Sequence, residues 1–300
     1  MKITITGYTG FVGQNLSIYL EKLGFEVFSL RLRNQDWKLK LNTQCDVLIH
    51  LASLAHDTFN IAPPNEHIKI NTNLTTELFD QFLKSDIKDF FYFSSVKAVA
   101  DTVDGVLIEN VEGNPQTPYG KSKWKAEQYI LSKKLPSGKR LFIIRPCMIH
   151  GPGNKGNLNL LYKIVEKGIP WPLTNFENQR SFLSIDNLNY LIVEMINNPS
   201  VESGVYNFAD DESLSTNKLI TIMNEAVNKT PKFLKISKNL IQKIAKTGDI
   251  LHLPLNSERL KKLSESYIVS NQKIKTALDI QKLPINASDG IFKTIKSLKK

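Results

Sequence analysis

The chain has 300 residues, of which 41% are hydrophobic, a composition that fits a globular protein of one large or two moderate domains and excludes a disordered chain. No apolar run approaches the roughly 20 residues that span a bilayer, and the N-terminus does not resemble a signal peptide, so we expect a cytoplasmic protein without an integral membrane segment. The two cysteines, Cys45 and Cys147, are too few for a disulfide framework, and we expect no metal site.

The net charge of +10 is spread over the chain, but lysines become more frequent after Lys229. A solvated face would explain them, and so would attraction to polyanionic small molecules or to an anionic membrane surface. No recognisable nucleic-acid-binding motif with interleaved aromatic residues is present, so we expect no nucleic-acid partner.

Short β-rich runs alternate with helical periods through the first half of the chain. Strands are predicted at 2–6, 26–30, 46–51, 89–94 and 140–145, and helices at 11–23, at 66–83 and from Tyr119 onwards. This alternation is typical of an α/β fold of the Rossmann type, a doubly wound parallel sheet with helices on both faces. We expect residues 1–150 to bind a dinucleotide and residues 151–300 to form a smaller, irregular substrate-binding region, with a segment near 181–198 packing back on the first domain.

A glycine-rich turn follows the first strand and opens the first helix. Gly7, Gly10 and Gly13 occur at three-residue intervals, which permits a tight turn and a close backbone approach, while the helix N-terminus offers free N–H groups to a pyrophosphate. We therefore expect the following residues to bind a dinucleotide cofactor: Gly7, Thr9, Gly10, Phe11, Val12 and Gly13.

Two arginines occupy the end of the second strand, where an acidic residue would normally accept hydrogen bonds from the adenosine 2′-hydroxyl. Arg31 lies 18 positions after Gly13, and Arg33 is close by. Guanidinium groups bind a 2′-phosphate strongly, so the sequence favours NADP. If one or both arginines only face water, NAD is the alternative.

The segment 117–123 predicts a helix that carries a proton-transfer pair. Thr117 can cap the helix and Pro118 can occupy its first position, which places Tyr119 and Lys123 one turn apart on the same face. A lysine ammonium at that distance would lower the pKa of the tyrosine towards a range useful for proton exchange with a carbonyl or alcohol oxygen.

Together with further motifs, these residues resemble the extended short-chain dehydrogenase/reductase family of nucleotide-sugar epimerases, dehydratases and 4-keto reductases. The likeness covers nearly the whole chain. Beyond the glycine turn and the Tyr119/Lys123 pair, it rests on the segments 46–52, 93–95, 145–146, 151–153 and 180–186 and on Asn71.

The resemblance implies roles for individual residues. Ser95 would hydrogen-bond the substrate oxygen, Tyr119 would be the acid/base, and Lys123 would hold the nicotinamide ribose. Further cofactor contacts implied are Leu51, Ala52, Asn71 and Pro146. Arg180 would contact the substrate pyrophosphate, and the weaker candidates for nucleotide contacts are Asn157 and Arg259.

The 4,6-dehydratases of this family carry an Asp-Glu pair after the catalytic hydroxyl, where this chain has Val96 and Lys97. The sequence instead resembles the 4-epimerase and 4-keto-reductase branch, above all the reductases of UDP-linked 4-keto-6-deoxy-N-acetylhexosamines. Because a self-recycling epimerase has no obvious use for selecting a 2′-phosphate, Arg31 and Arg33 favour NADPH-dependent reduction of such a nucleotide-linked 4-ketosugar, feeding surface polysaccharide synthesis.

Two alternatives remain at this point. The first is a UDP-hexose or UDP-N-acetylhexosamine 4-epimerase with tightly bound NAD. The second is a non-catalytic, NADP-sensing module, which need not keep the serine, tyrosine and lysine together. A homodimer is common in the family, although no exposed stripe in this sequence demonstrates one.

Overall fold

A computed structural model describes residues 1–55, 63–154, 158–251 and 255–298. Its strands are β1 (Lys2–Thr6), β2 (Glu26–Leu30), β3 (Val47–His50), β4 (Asp89–Phe93), β5 (Val106–Leu107), β6 (Arg140–Pro146), β7 (Met148–His150), β8 (Arg180–Ser184), β9 (Gly204–Phe208), β10 (Ser213–Leu214) and β11 (Ile268–Val269). Its α-helices are α1 (Phe11–Lys22), α2 (Trp37–Lys40), α3 (Pro64–His67), α4 (Leu74–Lys84), α5 (Pro118–Leu131), α6 (Leu158–Glu166), α7 (Ile185–Asn197), α8 (Thr216–Ala226), α9 (Lys238–Leu251), α10 (Ser257–Ser264), α11 (Gln272–Leu278) and α12 (Ala287–Leu298).

The main sheet has six parallel strands in the order β2-β1-β3-β4-β6-β9. Alternate residues of β4 are buried on opposite faces of the sheet. Phe91 packs in the cluster that includes residues of α1 and α7, and Phe90 packs in the cluster that includes residues of α4 and α5. Burial of both faces explains the nearly continuous apolar strands. The predicted doubly wound parallel fold is confirmed, with the five predicted strands shifted by at most one residue at either end.

The chain after residue 150 contributes to two cores. Helix α7 packs its Leu188 and Ile192 with Leu16 of α1, and β9 adds the sixth strand of the main sheet. A second core lies between the three-stranded sheet β10-β8-β7 and helices α6, α8 and α12. The main sheet therefore extends past residue 150, where the sequence suggested a domain boundary, and the assignment of separate binding roles to the two regions stays a prediction.

The helix predicted over 66–83 is not uniform. A six-residue π-helical segment, Ile68–Asn73, separates α3 from α4. Such wide turns are frequently found at functional sites, and this one carries the buried Asn71. Within the described ranges, no helix is long and apolar enough to cross a membrane.

Candidate active site

The glycine turn between β1 and α1 has a shape that only glycine permits. Gly7 has φ +73°, and a Cβ atom there would lie 2.6 Å from the backbone nitrogen of Ala52. A Cβ atom on Gly13 would overlap the carbonyl oxygen of Gly7 and lie 2.8 Å from the Cα of Tyr8. The N–H of Gly10 donates to that same oxygen at 3.0 Å, which closes the turn. Backbone atoms thus line this surface, and a ligand can approach them closely.

The N-terminus of α1 fits a pyrophosphate group. Gly10 is the N-cap residue, and no side chain among the described residues caps this end of the helix. The first N–H groups of a helix have no partner inside it, so those of Phe11, Val12 and Gly13 remain available to an anion, with the helix dipole adding to the attraction. Thr9 is exposed beside them. The structure therefore brings together all six residues of the predicted phosphate loop.

Leu51 and Ala52 follow β3 directly beside this turn, where their N–H groups donate to the backbone oxygen and the Oγ1 of Thr6, each at 3.2 Å. Pro146 ends β6, two strands away in the same sheet, and is buried opposite Phe208. All three residues lie at the carboxyl edge of the main sheet, which is where open α/β folds bind ligands.

The side chain of Asn71 forms its hydrogen bonds with other parts of the protein. Its Oδ1 accepts from the N–H of Leu54 at 2.7 Å and from the hydroxyl of Ser53 at 3.1 Å, and its Nδ2 donates to the Oγ of Ser122 at 3.0 Å. It therefore ties the loop after β3 to helix α5. These bonds assign it a positioning role, and its direct contact with a cofactor stays a prediction.

Arg31 and Arg33 are exposed immediately after β2. The register pairs Leu30 with Thr6, so Arg31 follows β2 at the edge where the glycine turn follows β1. In the part of the chain that the structure describes, neither guanidinium group forms an ion pair or a hydrogen bond. Both cations are therefore available to an anionic ligand beside the glycine turn.

Helix α5 begins as the sequence predicts. The Oγ1 of Thr117 accepts from the N–H of Gly120 at 3.2 Å, and Pro118 occupies the first turn. The carboxylate of Asp101 accepts from the N–H of Gln116 at 2.7 Å and holds the chain just before the helix. These contacts fix the start of α5 relative to the segment that follows Ser95.

Lys123 is 2% exposed, and its Nζ donates to the carbonyl oxygen of Phe93 at 2.7 Å. Burial lowers the pKa of Lys123 to about 7, although the carboxylate of Glu127 acts in the opposite direction. The side chain of Lys123 therefore loses its proton more readily than an exposed lysine does. Its position is set by the end of β4, the strand that leads to Ser95.

Tyr119 and Ser95 lie together at the carboxyl edge of the sheet. Burial raises the pKa of Tyr119 to about 12, and a hydrogen bond with the Ser95 side chain lowers it only in part. The expected fall of the Tyr119 pKa caused by Lys123 is therefore wrong for this structure. The physical reason is that desolvation dominates the Tyr119 phenol, and the opposing cause is its hydrogen bond with Ser95. The ammonium group of Lys123 donates to the carbonyl oxygen of Phe93 instead.

Glu127 was not recognised from the sequence as part of the site. It is fully buried one turn beyond Lys123, and its Oε2 lies 2.6 Å from Nη2 of Arg145. Its Oε1 also accepts a short hydrogen bond from the hydroxyl of Ser94. The four-residue spacing from Lys123 was the available signal, because it predicts a third polar side chain on the same face of α5.

Arg180 lies in a partly buried cationic cluster. Its Nη1 donates a short hydrogen bond to the carbonyl oxygen of Lys262. Lys97 is the neighbouring cation: its Nζ donates to the backbone oxygen of Asp101 at 2.8 Å and lies 4.1 Å from the ring centroid of Tyr267. Burial lowers the pKa of Lys97 to about 8, with Asp101 opposing this shift and Arg180 adding to it. Lys97 is a second residue that the sequence did not identify as a site candidate.

The two weaker candidates have different outcomes. Arg259 is exposed in the first turn of α10, where its N–H donates to the Oδ1 of Asn256 at 2.9 Å. It lies three residues before Lys262, on the helix that borders the cationic cluster. Asn157 lies outside the described residues. A direct contact of either residue with a substrate stays a prediction.

The lowered pKa of Lys123 predicts how the stability of the protein changes with pH. Because its folded pKa of about 7 lies below the ordinary value of 10.5, the unfolded chain binds more protons between these two pH values, and stability due to this group rises with pH across that window. We expect Lys123→Met to be more stable than the wild type, with the largest gain below pH 7 and a diminishing gain towards pH 10.5. Urea unfolding at several pH values measures this difference, and a gain that did not depend on pH would contradict the lowered pKa.

Comparison with known proteins identifies the family. The sequence model of the NAD dependent epimerase/dehydratase family matches residues 3–209. The UDP-glucose 4-epimerase of Vibrio cholerae is 33% identical over 251 residues, which cover 76% of each chain. The N-acetyl-alpha-D-glucosaminyl-diphospho-ditrans,octacis-undecaprenol 4-epimerase of Escherichia coli O157:H7 is 29% identical over 186 residues, which cover 61% of this chain and 55% of that protein.

Solved structures agree on the fold. RMD from Pseudomonas aeruginosa complexed with NADPH superposes with a TM-score of 0.74 at 19% identity, covering 99% of this chain and 97% of that one. The extent of the family match, which includes both the glycine turn and helix α5, decides the assignment. The chain therefore belongs to the NAD dependent epimerase/dehydratase family, as an NAD(P)-dependent nucleotide-sugar epimerase or oxidoreductase.

Proposed function

We propose that this protein catalyses the NADPH-dependent reduction of a nucleotide-linked 4-ketosugar of the UDP-4-keto-6-deoxy-N-acetylhexosamine type. The observation that carries the choice of a reductase is the pair of exposed arginines after β2, Arg31 and Arg33, which form no ion pair or hydrogen bond with any other described residue. Guanidinium groups at this place favour a 2′-phosphate, and the phosphorylated dinucleotide is the usual soluble reductant. A homodimer, a cytoplasmic location and a role in surface polysaccharide synthesis belong to the same proposal.

The raised pKa of Tyr119 suits a proton donor. With a pKa of about 12, the phenol is protonated at neutral pH and can transfer its proton to the O4 oxygen as negative charge develops there. Ser95 holds the same oxygen by a hydrogen bond, and Lys123, anchored by the carbonyl of Phe93, holds the ribose side of the cofactor. Reduced nicotinamide, when bound, supplies the hydride that C4 of the sugar receives.

The cationic cluster of Arg180 and Lys97 supports a diphosphate-linked substrate. Both residues are partly buried near Tyr267, so a diphosphate would meet two cations in a region with less water than the open surface, where it would compete with the carboxylates of Asp101 and Glu265 for them. Charge-assisted hydrogen bonds are strongest where water is excluded. The two curated relatives act, by their names, on sugars joined to a diphosphate, in one case uridine-linked and in the other lipid-linked.

Epimerisation at C4 with bound NAD is the second candidate, and the 33% identical Vibrio cholerae epimerase favours it. An epimerase returns the hydride to the sugar it came from, so it needs no net reductant. Absorbance at about 340 nm separates the two candidates when the purified protein is mixed with NADPH and a panel of nucleotide 4-ketosugars. Reduction predicts stoichiometric loss of absorbance, and a steady signal with interconversion of C4 epimers would overturn the proposal.

Replacing the proton donor tests the proposed chemistry. We expect Tyr119→Phe to leave cofactor binding nearly intact and to lower kcat by about 10²- to 10⁴-fold, the usual scale for loss of a general acid. Stopped-flow and steady-state assays of NADPH oxidation measure the change, with thermal unfolding as the control for folding. Turnover near the wild-type rate would remove Tyr119 from this role.

Replacing the cation after β2 tests the cofactor. The wild type should bind NADPH more tightly than NADH, and Arg31→Asp should reverse that order because it removes an attractive contact to the 2′-phosphate and adds a repulsive one. Lys22→Asp, which changes charge at an exposed site on α1, should leave the preference unchanged. Fluorescence titration measures the affinity for each reduced cofactor. A wild-type preference for NADH would contradict the choice of NADPH and favour the epimerase.

The diphosphate contact is tested at the cationic cluster. Arg180→Ala should chiefly weaken binding of UDP, since charge-assisted contacts contribute about 1.5–3 kcal/mol each. Arg180→Lys keeps the charge and should restore part of the affinity. Calorimetric titration measures the affinity of each variant for UDP. Unchanged affinity in a folded Arg180→Ala protein would show that Arg180 has a structural role and does not contact the diphosphate.

A further inference from the structure

Half of the net charge of this protein lies in one short stretch of the chain. Residues 229–251 contain six lysines and one aspartate, whereas the whole protein has a net charge of +10. All six side chains are exposed, and none of them pairs with an acidic side chain in the described ranges. These lysines are Lys229, Lys232, Lys235, Lys238, Lys243 and Lys246.

Helix α9, within this stretch, has two apolar faces. One face is buried in the protein through Ile241 and Ala245. The other is formed by Leu240, Ile244 and Leu251, whose spacing of four and seven residues places them in one line along the helix. These three side chains are 50%, 41% and 61% exposed, respectively. The helix therefore presents a row of large apolar side chains to its surroundings, and we call this row the outer stripe.

Further large apolar side chains close to the outer stripe in the sequence are exposed. Ile250, next to the end of the outer stripe, is 76% exposed. Phe233 and Leu234, in the segment that leads into α9, are 38% and 44% exposed. Lys243 lies about 80° around the helix from the centre of the stripe, and Lys246 lies about 140° from it, on the side towards α10. An amphipathic helix with large apolar side chains on one side and lysines beside them is the pattern of helices that lie in a membrane interface.

We propose that α9 docks this protein on an anionic phospholipid surface. Leu240, Ile244 and Leu251 enter the boundary between headgroups and acyl chains, and the lysines of residues 229–251 contact the lipid phosphates. The helix has 14 residues and lies along the surface without crossing it. Each lysine held near such a surface adds to the attraction, so six of them provide the electrostatic part of binding.

Charge complementarity favours an anionic lipid surface over a second copy of the chain as the partner of the outer stripe. If two copies met through the outer stripe, two segments with a net charge of +5 each would be brought together, which repels them. An anionic bilayer offers the opposite charge and an apolar interior at the same place. The proposal therefore requires both parts of the helix, the apolar stripe and the cations.

The docking helix lies close to the candidate active site. Helix α9 packs against α10, and the carbonyl oxygen of Lys262 on α10 accepts the hydrogen bond from Arg180. The proposed docking helix thus packs directly against the helix that borders the cationic cluster. The proposal concerns a surface, and it holds for either of the two reactions considered above.

Vesicle sedimentation tests the docking directly. The full chain should sediment with vesicles of phosphatidylcholine mixed with phosphatidylglycerol, and should remain in solution with vesicles of phosphatidylcholine alone. Binding should weaken as salt rises, because salt screens exposed charges. Equal binding to both kinds of vesicle, or no binding to either, would overturn the proposal.

Two variants separate the contributions of the helix. We expect Leu240→Gln/Ile244→Gln and Lys243→Glu/Lys246→Glu each to lower the partition onto mixed vesicles by at least about tenfold. Leu39→Gln, at a residue that is 89% exposed on α2, is the matched apolar control, and Lys22→Glu/Lys84→Glu is the matched charge control. Both controls should bind as the wild type does, and thermal unfolding should show that all variants are folded.

Three other results would contradict the docking. If the lysine variant lost binding and the apolar variant kept it, the protein would only adsorb through charge. If light scattering showed a dimer that Leu240→Gln/Ile244→Gln dissociates, the outer stripe would be an interface between copies. If the matched controls lost binding as strongly as the α9 variants, binding would not be located on this helix.

Discussion

The buried ion pair between Glu127 and Arg145 is the interaction on which the candidate active site depends. It joins helix α5 to strand β6, and the hydroxyl of Ser94 adds the end of strand β4 to the same carboxylate. Both charged side chains are almost completely excluded from water. Breaking such a pair by removing one partner typically costs about 3–5 kcal/mol, because the remaining charge is left buried and uncompensated. Helix α5 is consequently fixed in rotation as well as in position.

The orientation of α5 determines the chemistry of the site. Tyr119, Lys123 and Glu127 follow one another at four-residue intervals, so fixing Glu127 also fixes the other two. Burial then shifts both titrating groups away from their ordinary values, the pKa of Lys123 to about 7 and that of Tyr119 to about 12. The protein thus keeps a protonated phenol beside Ser95, and one turn along α5 it holds a lysine whose pKa is lowered by burial. This arrangement is suited to donating a proton to an oxygen as charge develops there.

Local patterns explain why much of this structure was predictable from the sequence. The cap at Thr117, the glycine turn and the continuous apolar strands each depend on residues close together in the chain, and the structure confirms them. The π-helical segment around Asn71 was missed because its partner Ser122 is 51 residues away. Lys97 was missed for a similar reason, since its environment is created by Tyr267, which only the folded chain brings to it. The error in the Tyr119 pKa has the same origin, because burial cannot be read from a four-residue spacing.

We propose that this protein moves a hydride in one direction, from the reduced cofactor to the sugar. The most direct measurement uses NADPH carrying two deuterium atoms at C4 of the nicotinamide, followed by NMR analysis of the sugar product. Reduction by this protein would place one deuterium at C4 of the sugar for each NADPH oxidised, with none elsewhere in the ring. A product whose C4 epimer has formed without deuterium, and with the labelled NADPH unconsumed, would contradict it.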